Sequence, residues 1–465
     1  MNSITVKLKI QKSRSNKIYL PNHILQKLNL KHNQSIPIYF GLTSSKVATI
    51  RGFNSHSNII VITSSLMEKL LLPYKKDIMI KKEQDGLRIG PIIGIYTTDY
   101  TGKKFSNDPS NKHPFGFFFK NLLSSETKYP VYYFVFTPEE IDWGKKTIHG
   151  YFYRKNYWQK ITVPFPDVVY NRIPNRSVEK KPSISNFKQT YLNFGGKMFN
   201  PGFFNKWDMY QILVQEPDTV KYIPETYMKP SFSIFKDMLK RHSIVYLKPA
   251  NGSLGLGIYK VNRKSNSYLI QYRVGSKNFA VSFKKITSAY KYIFQHKKPQ
   301  YYLIQQGINL IKYHQNPVDF RIQLHKDSLN QWQVIAIGAK VAGKGSVTTH
   351  LRTGGKMIDS LNYLEKVYGN NTYKILREIN NMAILIARTV EEKLGSPVGE
   401  LGLDVGIDTN NRIWLFEVNS KPGRSIFKHP SLKDARNKSS NKLLEYAMYL
   451  SRFTTKHSPP SKEAL

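Results

Sequence analysis

The segment LGLDVGIDTNNRIWLFEVNSKPG, residues 401–423, gathers Asp404, Asp408, Glu417 and Asn419 in a chain whose formal net charge is +40. LDVGID and RIWLFEVN both alternate, and Asn410-Asn411 suits the positive φ angles of a two-residue hairpin loop. With that loop Thr409 pairs with Arg412. Counting back sets Asp404 opposite Glu417, with Asn419 on the same face. Directly opposed carboxylates repel, and burial raises the cost. A divalent cation between them removes the conflict. An all-oxygen set suits Mg²⁺, with Mn²⁺ as a substitute, and Mg²⁺ completes its shell with water and substrate phosphates. The plainer alternative is a solvated hairpin face whose acids meet lysines.

A phosphate site is expected to accompany such a metal. SIVYLKPANGSLGLGIYKV (243–261) reads as an apolar strand ending in Lys248, a loop with Gly252, Ser253, Gly255 and Gly257, and a second strand. Glycines let backbone N–H groups approach phosphate oxygens, and Lys248 adds a fixed positive charge. The spacing is neither a P-loop nor a dinucleotide-binding fingerprint. YYLIQQGINLI (301–311) runs an apolar strand into Gln305, Gln306 and Gly307, a hinge able to present backbone groups to an adenine edge while Ile308 packs on the ring; an ordinary buried strand reads the same way. VDFRI places Asp319 and Arg321 on one strand face. GAKVAG carries Lys340, and TTHLRTGGK carries His350, Arg352, Gly354 and Gly355. Each is a turn or surface pair when taken alone, and together they offer several cations to phosphate chemistry.

These residues need elements to hold them. At 465 residues the chain calls for two or three domains, and 40% hydrophobic and 13% aromatic content suffices for sizeable cores. The absence of cysteine excludes disulfides, thiolate metal sites and cysteine nucleophiles. No run approaches a membrane span and no apolar leader is present, so a soluble protein made in the cytoplasm is expected. The first ninety residues hold a faint repeat: 17–40 aligns without a gap on 59–82, each half reading strand, helix, turn, strand. Two such halves close a small pseudo-symmetric β-barrel of the double-psi kind over 1–88, without evident catalytic groups. Strands at 90–100, YPVYYFVFTPEEI and DVVYNRI, with a helix at FGFFFKNLLS, suggest a parallel α/β layer over 89–188. PNRSVEKKPSISN (174–186) reads as a polar linker. Residues 189–452 hold the motifs above and two long helices, near 374–394 and 431–452, and 453–465 reads as a disordered tail.

The order of lysine strand, glycine loop, hinge, Asp-x-Arg, Gly-Gly loop and acid hairpin resembles the ATP-grasp superfamily across roughly 190–445, in the manner of D-alanine–D-alanine ligase-like and ribosomal-protein glutamate ligase-like enzymes. Two acids thirteen positions apart, with Asn two beyond the second, match the superfamily's metal motif at Asp404, Glu417 and Asn419. The resemblance implies that Lys248 and Lys206 (in FFNKWDMYQIL) contact ATP phosphates, that Gln305, Gln306 and Ile308 form the adenine hinge, and that Arg321 and Lys340 serve the transferring phosphate; Arg352 is expected to join Arg321 in stabilising anionic transition states. NPGFFNKWDMYQIL, YIPET and VDFRIQLHKD, with the acid hairpin and a barrel-like N-terminal module, resemble the YheC/YheD family of endospore coat-associated ATP-grasp proteins. That implies a mixed α/β ATP-grasp fold behind a pre-ATP-grasp α/β domain, expression in a sporulating mother cell and association with the spore coat and its proteins. One departure is Thr349-His350, where related enzymes often carry Thr-Asn ahead of the Gly-Gly loop; it leaves acceptor-side detail open.

The expected chemistry is Mg-ATP-dependent ligation of a carboxylate to an amine, or less often a thiol, through an acylphosphate. No side-chain nucleophile is needed, in keeping with the lack of any Ser/His/Asp or Cys/His constellation. Two rivals stand beside it: a catalytically silent structural coat protein on an ATP-binding fold, and a basic polyanion binder with a regulatory nucleotide site. Lysines spread along the whole chain speak for non-specific polyanion affinity, and no motif supports specific nucleic-acid recognition.

Overall fold

Period-two alternation builds the first unit. In the computed structural model, which describes residues 3–98, 114–252, 256–275, 277–343, 345–349 and 354–453, seven strands close a barrel: Ile4–Gln11, Lys17–Pro21, Ser35–Phe40, Ser44–Phe53, Ile59–Thr63, Asp77–Lys82 and Leu87–Gly90. Val6, Leu8, Ile18, Leu20, Ile36 and Ile38 point inward, while Lys7 and Lys9 point out. The repeat becomes strand Lys17–Pro21, helix Asn22–Leu28 and strand Ser35–Phe40, then strand Ile59–Thr63, helix Ser64–Lys69 and strand Asp77–Lys82. Its two leading strands pair antiparallel, Ile18 with Ile62 and Tyr19 with Val61.

The middle layer is centred on Ile92–Tyr96, flanked in parallel by Tyr132–Phe136 and Val168–Asn171, with Lys197–Phe199 extending it. Antiparallel strands Ile141–Asp142, Thr147–Arg154 and Tyr157–Pro164 finish its other edge. Burial on both faces explains the near-continuous apolar runs of its central strands. The expected polar linker at 174–186 is instead the helix Arg176–Glu179 and the start of the helix Pro182–Asn193. Asn175 caps the first by accepting from Val178 N at 2.9 Å, and Ile184, Phe187 and Tyr191 bury into the core shared with the barrel. Polar composition hid an amphipathic helix, and the expected boundary at 188/189 falls inside it. A buried ion pair, Lys76 to Glu126 at 2.9 Å, and a Leu42 N–H donating to Phe165 O at 2.8 Å lock barrel to layer.

Two further sheets follow. One runs Thr226–Met228, Tyr302–Gln306, Ile244–Pro249, Tyr259–Arg263, Tyr268–Val274, Lys277–Phe283 in spatial order. The other runs Lys356–Ile358, Trp332–Val341, Asn316–Lys326, Glu400–Ile407, Ile413–Asn419, with Lys312–Tyr313 paired beside it. The helix Thr372–Leu394 covers the second sheet with Ile375, Ile379, Met382, Ile386 and Val390, a stripe at helical spacing. The helix Lys433–Leu450 turns back to the middle layer, where Leu443, Leu444, Ala447 and Leu450 pack with Ile93, Ile95 and Tyr133. Residues 454–465, most of the expected tail, lie outside the described residues. Among the described residues no helix is long and apolar enough to cross a membrane.

Candidate active site

The acid hairpin is built from Glu400–Ile407 and Ile413–Asn419, and Asp404 is the register partner of Glu417. The route to that pairing differs from the expected one. The turn has three residues: Asp408 N donates to Arg412 O at 3.0 Å, Asn411 N to Asp408 O at 3.0 Å, and Asn411 sits at φ +65°. Asp408 is spent on this turn, its Oδ1 accepting from Asn410 N (2.8 Å) and Arg412 N (2.9 Å) and its Oδ2 from Trp414 Nε1 (2.8 Å). Ile407 therefore faces Ile413 and Val405 faces Leu415, one residue short of a two-residue loop. A bulge then inserts Phe416 opposite no partner, and the register recovers at Asp404–Glu417. The bulge turns Glu417 away from the core face that holds Ile413, Leu415 and Val418. Gly406 makes room for it, since a Cβ there would lie 2.6 Å from the Phe416 ring.

One register row crosses the second sheet: Gly338, Arg321, Asp404, Glu417. Arg321 Nε and Nη2 donate to Asp404 Oδ1 and Oδ2 at 3.0 and 2.8 Å, a bidentate fork. Lys340, register partner of Asp319, bridges Asp404 Oδ1 at 2.8 Å and Asp319 Oδ1 at 2.9 Å. Thr349 Oγ1 donates to Asp319 Oδ2. Lys206 ion-pairs Glu417 and also donates to Gly252 O at 3.0 Å, tying the hairpin to the glycine loop. Thus each acid, expected to need a metal to offset its neighbour, also has protein cations of its own. Burial would raise the Asp404 carboxyl, yet Arg321 and Lys340 outweigh it and hold it well below the usual carboxylate range. Burial raises Asp319, with Lys340 opposing.

Where the nucleotide is expected lies an apolar cleft between the two sheets, lined by Met209, Tyr210, Leu303, Leu415 and Phe416, with Lys206, Lys248, Thr226, Gln305 and Glu417 as its polar members. Lys206 opens the helix Lys206–Val214, whose cap Asn205 accepts from Trp207 N at 2.8 Å. Lys248 Nζ donates to Gln305 Oε1 at 2.6 Å, and Gln305 Nε2 to Thr226 Oγ1 at 3.1 Å. Gln306 turns aside, its Oε1 accepting from Glu225 N at 3.2 Å, and Ile308 is half-buried outside the cleft lining. Gly257 adopts φ +71°, a glycine conformation at the far end of the loop. Ser253, Gly255, His350 and Arg352 lie outside the described residues. Sequence reasoning missed Met209, Tyr210, Thr226 and Phe416; the signal was the apolar half of the Lys206 helix and the YIPET strand facing the hinge.

Asn419 Nδ2 lies 3.4 Å from Asp404 Oδ2, so two carboxylates and an amide converge on one end of the hairpin. The carboxylates of Asp404 and Glu417 and the amide of Asn419 are donors of the hard-oxygen class that Mg²⁺ or Mn²⁺ takes, although Asn419 here turns its nitrogen to Asp404. Asn200, at φ +54°, secures the following loop: its Nδ2 donates to Glu400 O (2.8 Å) and to Ser420 O, and its Oδ1 accepts from Gly399 N (2.9 Å).

Residues 195–450 match the model of the YheC/D-like ATP-grasp family. Endospore coat-associated protein YheD of Bacillus subtilis (strain 168) is 32% identical over 460 residues, 97% of each chain. The chain belongs to the YheC/D-like ATP-grasp family. YheC of the same organism is 24% identical over 313 residues, 65% of this chain and 84% of that one. Among solved structures, the D-alanine–D-alanine ligase from Coxiella burnetii superposes with a TM-score of 0.43 at 12% identity, over 77% of this YheC/D-like chain and 94% of that chain.

Proposed function

We propose that the protein binds Mg-ATP and ligates a carboxylate to an amine through an acylphosphate, in association with the endospore coat. The observation that carries this reading is the register-paired Asp404 and Glu417 with Asn419, set beside Lys206 and Lys248 at the mouth of an apolar cleft. Adenine would occupy the cleft, and Lys206 and Lys248 would hold the polyphosphate. A metal held by Asp404, Glu417 and Asn419 would supply neutralisation of phosphate charge. The substrate carboxylate attacks the γ-phosphorus and ADP leaves; an amine then attacks the acyl carbon, phosphate leaves, and the amine proton is lost. Arg321 and Lys340, fixed by Asp404 and Asp319, present preorganised positive charge to the transferring phosphate. Association with the coat rests on the names of YheD and YheC.

A structural coat protein is the second reading, favoured by one observation: Arg321, Lys340 and Lys206 already neutralise both acids. Purified protein with Mg-ATP and a panel of amino acids and peptides separates the two. Acceptor-stimulated ADP release that vanishes in Glu417→Ala is the expected result. Tight nucleotide binding without ADP formation under any acceptor would select the structural reading.

A further inference from the structure

Residues 1–67 contain no Asp or Glu and nine Lys or Arg, whereas 31 acids over 465 residues would put about four in a segment of that length. The fold gathers that segment onto one side of the barrel, where Ile4–Gln11, Ile59–Thr63, Lys17–Pro21 and Ser44–Phe53 are consecutive neighbours. Their registers set one outward row: Lys9 pairs with Val61, Val61 with Tyr19, and Tyr19 with Arg51. Lys7 lies one pleat along from Lys9, about 7 Å away, and Lys9 and Arg51 stand about 14 Å apart across three strand spacings. Lys9 is exposed, and Val61, Tyr19 and Arg51 are half-buried. Asp77 borders the face, opposite Lys7. The barrel meets the middle layer elsewhere, through Gly41, Tyr74, Lys76 and Arg88.

We propose that this barrel face docks an acidic polypeptide segment. Its centre is apolar, Val61 and Tyr19, and its ends are cationic, Lys9 and Arg51. That is the layout of a protein interface, with a dehydrated middle and a charged rim matched by opposite charge on the partner. A single-stranded nucleic-acid groove would need successive rings for base stacking, and this row offers Tyr19 alone. Seven rigid strands hold the row in place, so an extended partner pays the ordering cost on its own side only.

The test uses the full chain with poly-L-glutamate and an oligothymidylate of matched charge as probes, at near-physiological salt. Lys9→Glu with Arg51→Glu should weaken polyglutamate binding about tenfold or more, and Tyr19→Ala severalfold with charge unchanged. Lys236→Glu with Lys240→Glu, the same charge change on exposed positions of a distant helix, should change it less than about twofold. If circular dichroism shows that the first pair does not fold, Lys9→Gln with Arg51→Gln replaces it. Equal losses in the two charge-reversal pairs, an unaffected Tyr19→Ala, or tighter barrel-dependent binding of oligothymidylate would each overturn the proposal.

Discussion

Lys248 donates to Gln305 and stands over the rings of Tyr246 and Phe416 at 5.5 and 5.9 Å, cation–π contacts that offset part of the cost of burying its ammonium. Burial pushes its pKa down to about 8, with Glu417 pulling the other way and Lys206 adding to the fall. Between about 8 and the ordinary 10.5, the unfolded chain keeps a proton here that the folded chain has lost. Stability from this group therefore rises with pH across that window, and below about 8 the folded protein carries the full burial penalty. Lys248→Met should stabilise the nucleotide-free protein at pH 7 and flatten the rise above pH 8, read by denaturant titration at several pH values. The same variant should lose about tenfold or more in ATP affinity by calorimetry, since a charge-assisted phosphate contact is gone. A variant that loses stability would show that Lys248 serves the fold and not the ligand.

At the scale of elements, the hairpin teaches how much was legible. The types and spacing of Asp404, Glu417 and Asn419 led to the site, and the counted register matched because two deviations cancel: a longer turn and a bulge. The bulge did leave a trace. Core residues on the second strand run 413, 415, 418, spacing two then three, while 401, 403, 405 and 407 keep strict alternation. A phase slip of one in an otherwise regular strand is a bulge written in hydrophobicity. The cation partners were less legible, because Arg321 and Lys340 meet Asp404 only through pairing across three strands, and such pairing is invisible to local periodicity. Polarity from Ser183, Ser185, Asn186 and Gln189 likewise masked the helix Pro182–Asn193. Since Gly406 accommodates the bulge, Gly406→Ala should push Phe416 and Leu310, each within about 2.6 Å of the new Cβ. We expect a loss of about 1–3 kcal/mol in unfolding free energy and weaker Mg-ATP binding, with Gly144→Ala, whose Cβ would meet only Asp142 Oδ1 at 3.6 Å, as the contrast for contact.

For the whole molecule, a net charge of +40 means self-repulsion spread over many exposed lysines. Buried pairs such as Arg321–Asp404 and Lys421–Glu179 are screened little by salt, so surface repulsion sets the sign. The melting temperature should rise between low and moderate NaCl; a fall would mean that attractive surface pairs dominate. The closing helix, Lys433–Leu450, adds a consequence measured in time. Its Leu443, Leu444 and Ala447 complete the cover on a sheet whose strand Val168–Asn171 is made some 270 residues earlier. At roughly 5–20 residues per second of synthesis, Ile93, Ile95 and Tyr133 wait for that cover on the order of tens of seconds. The nascent chain thus carries a sticky, half-dressed sheet through most of its translation, and its yield in the cell depends on what shields that sheet until the last helix leaves the ribosome.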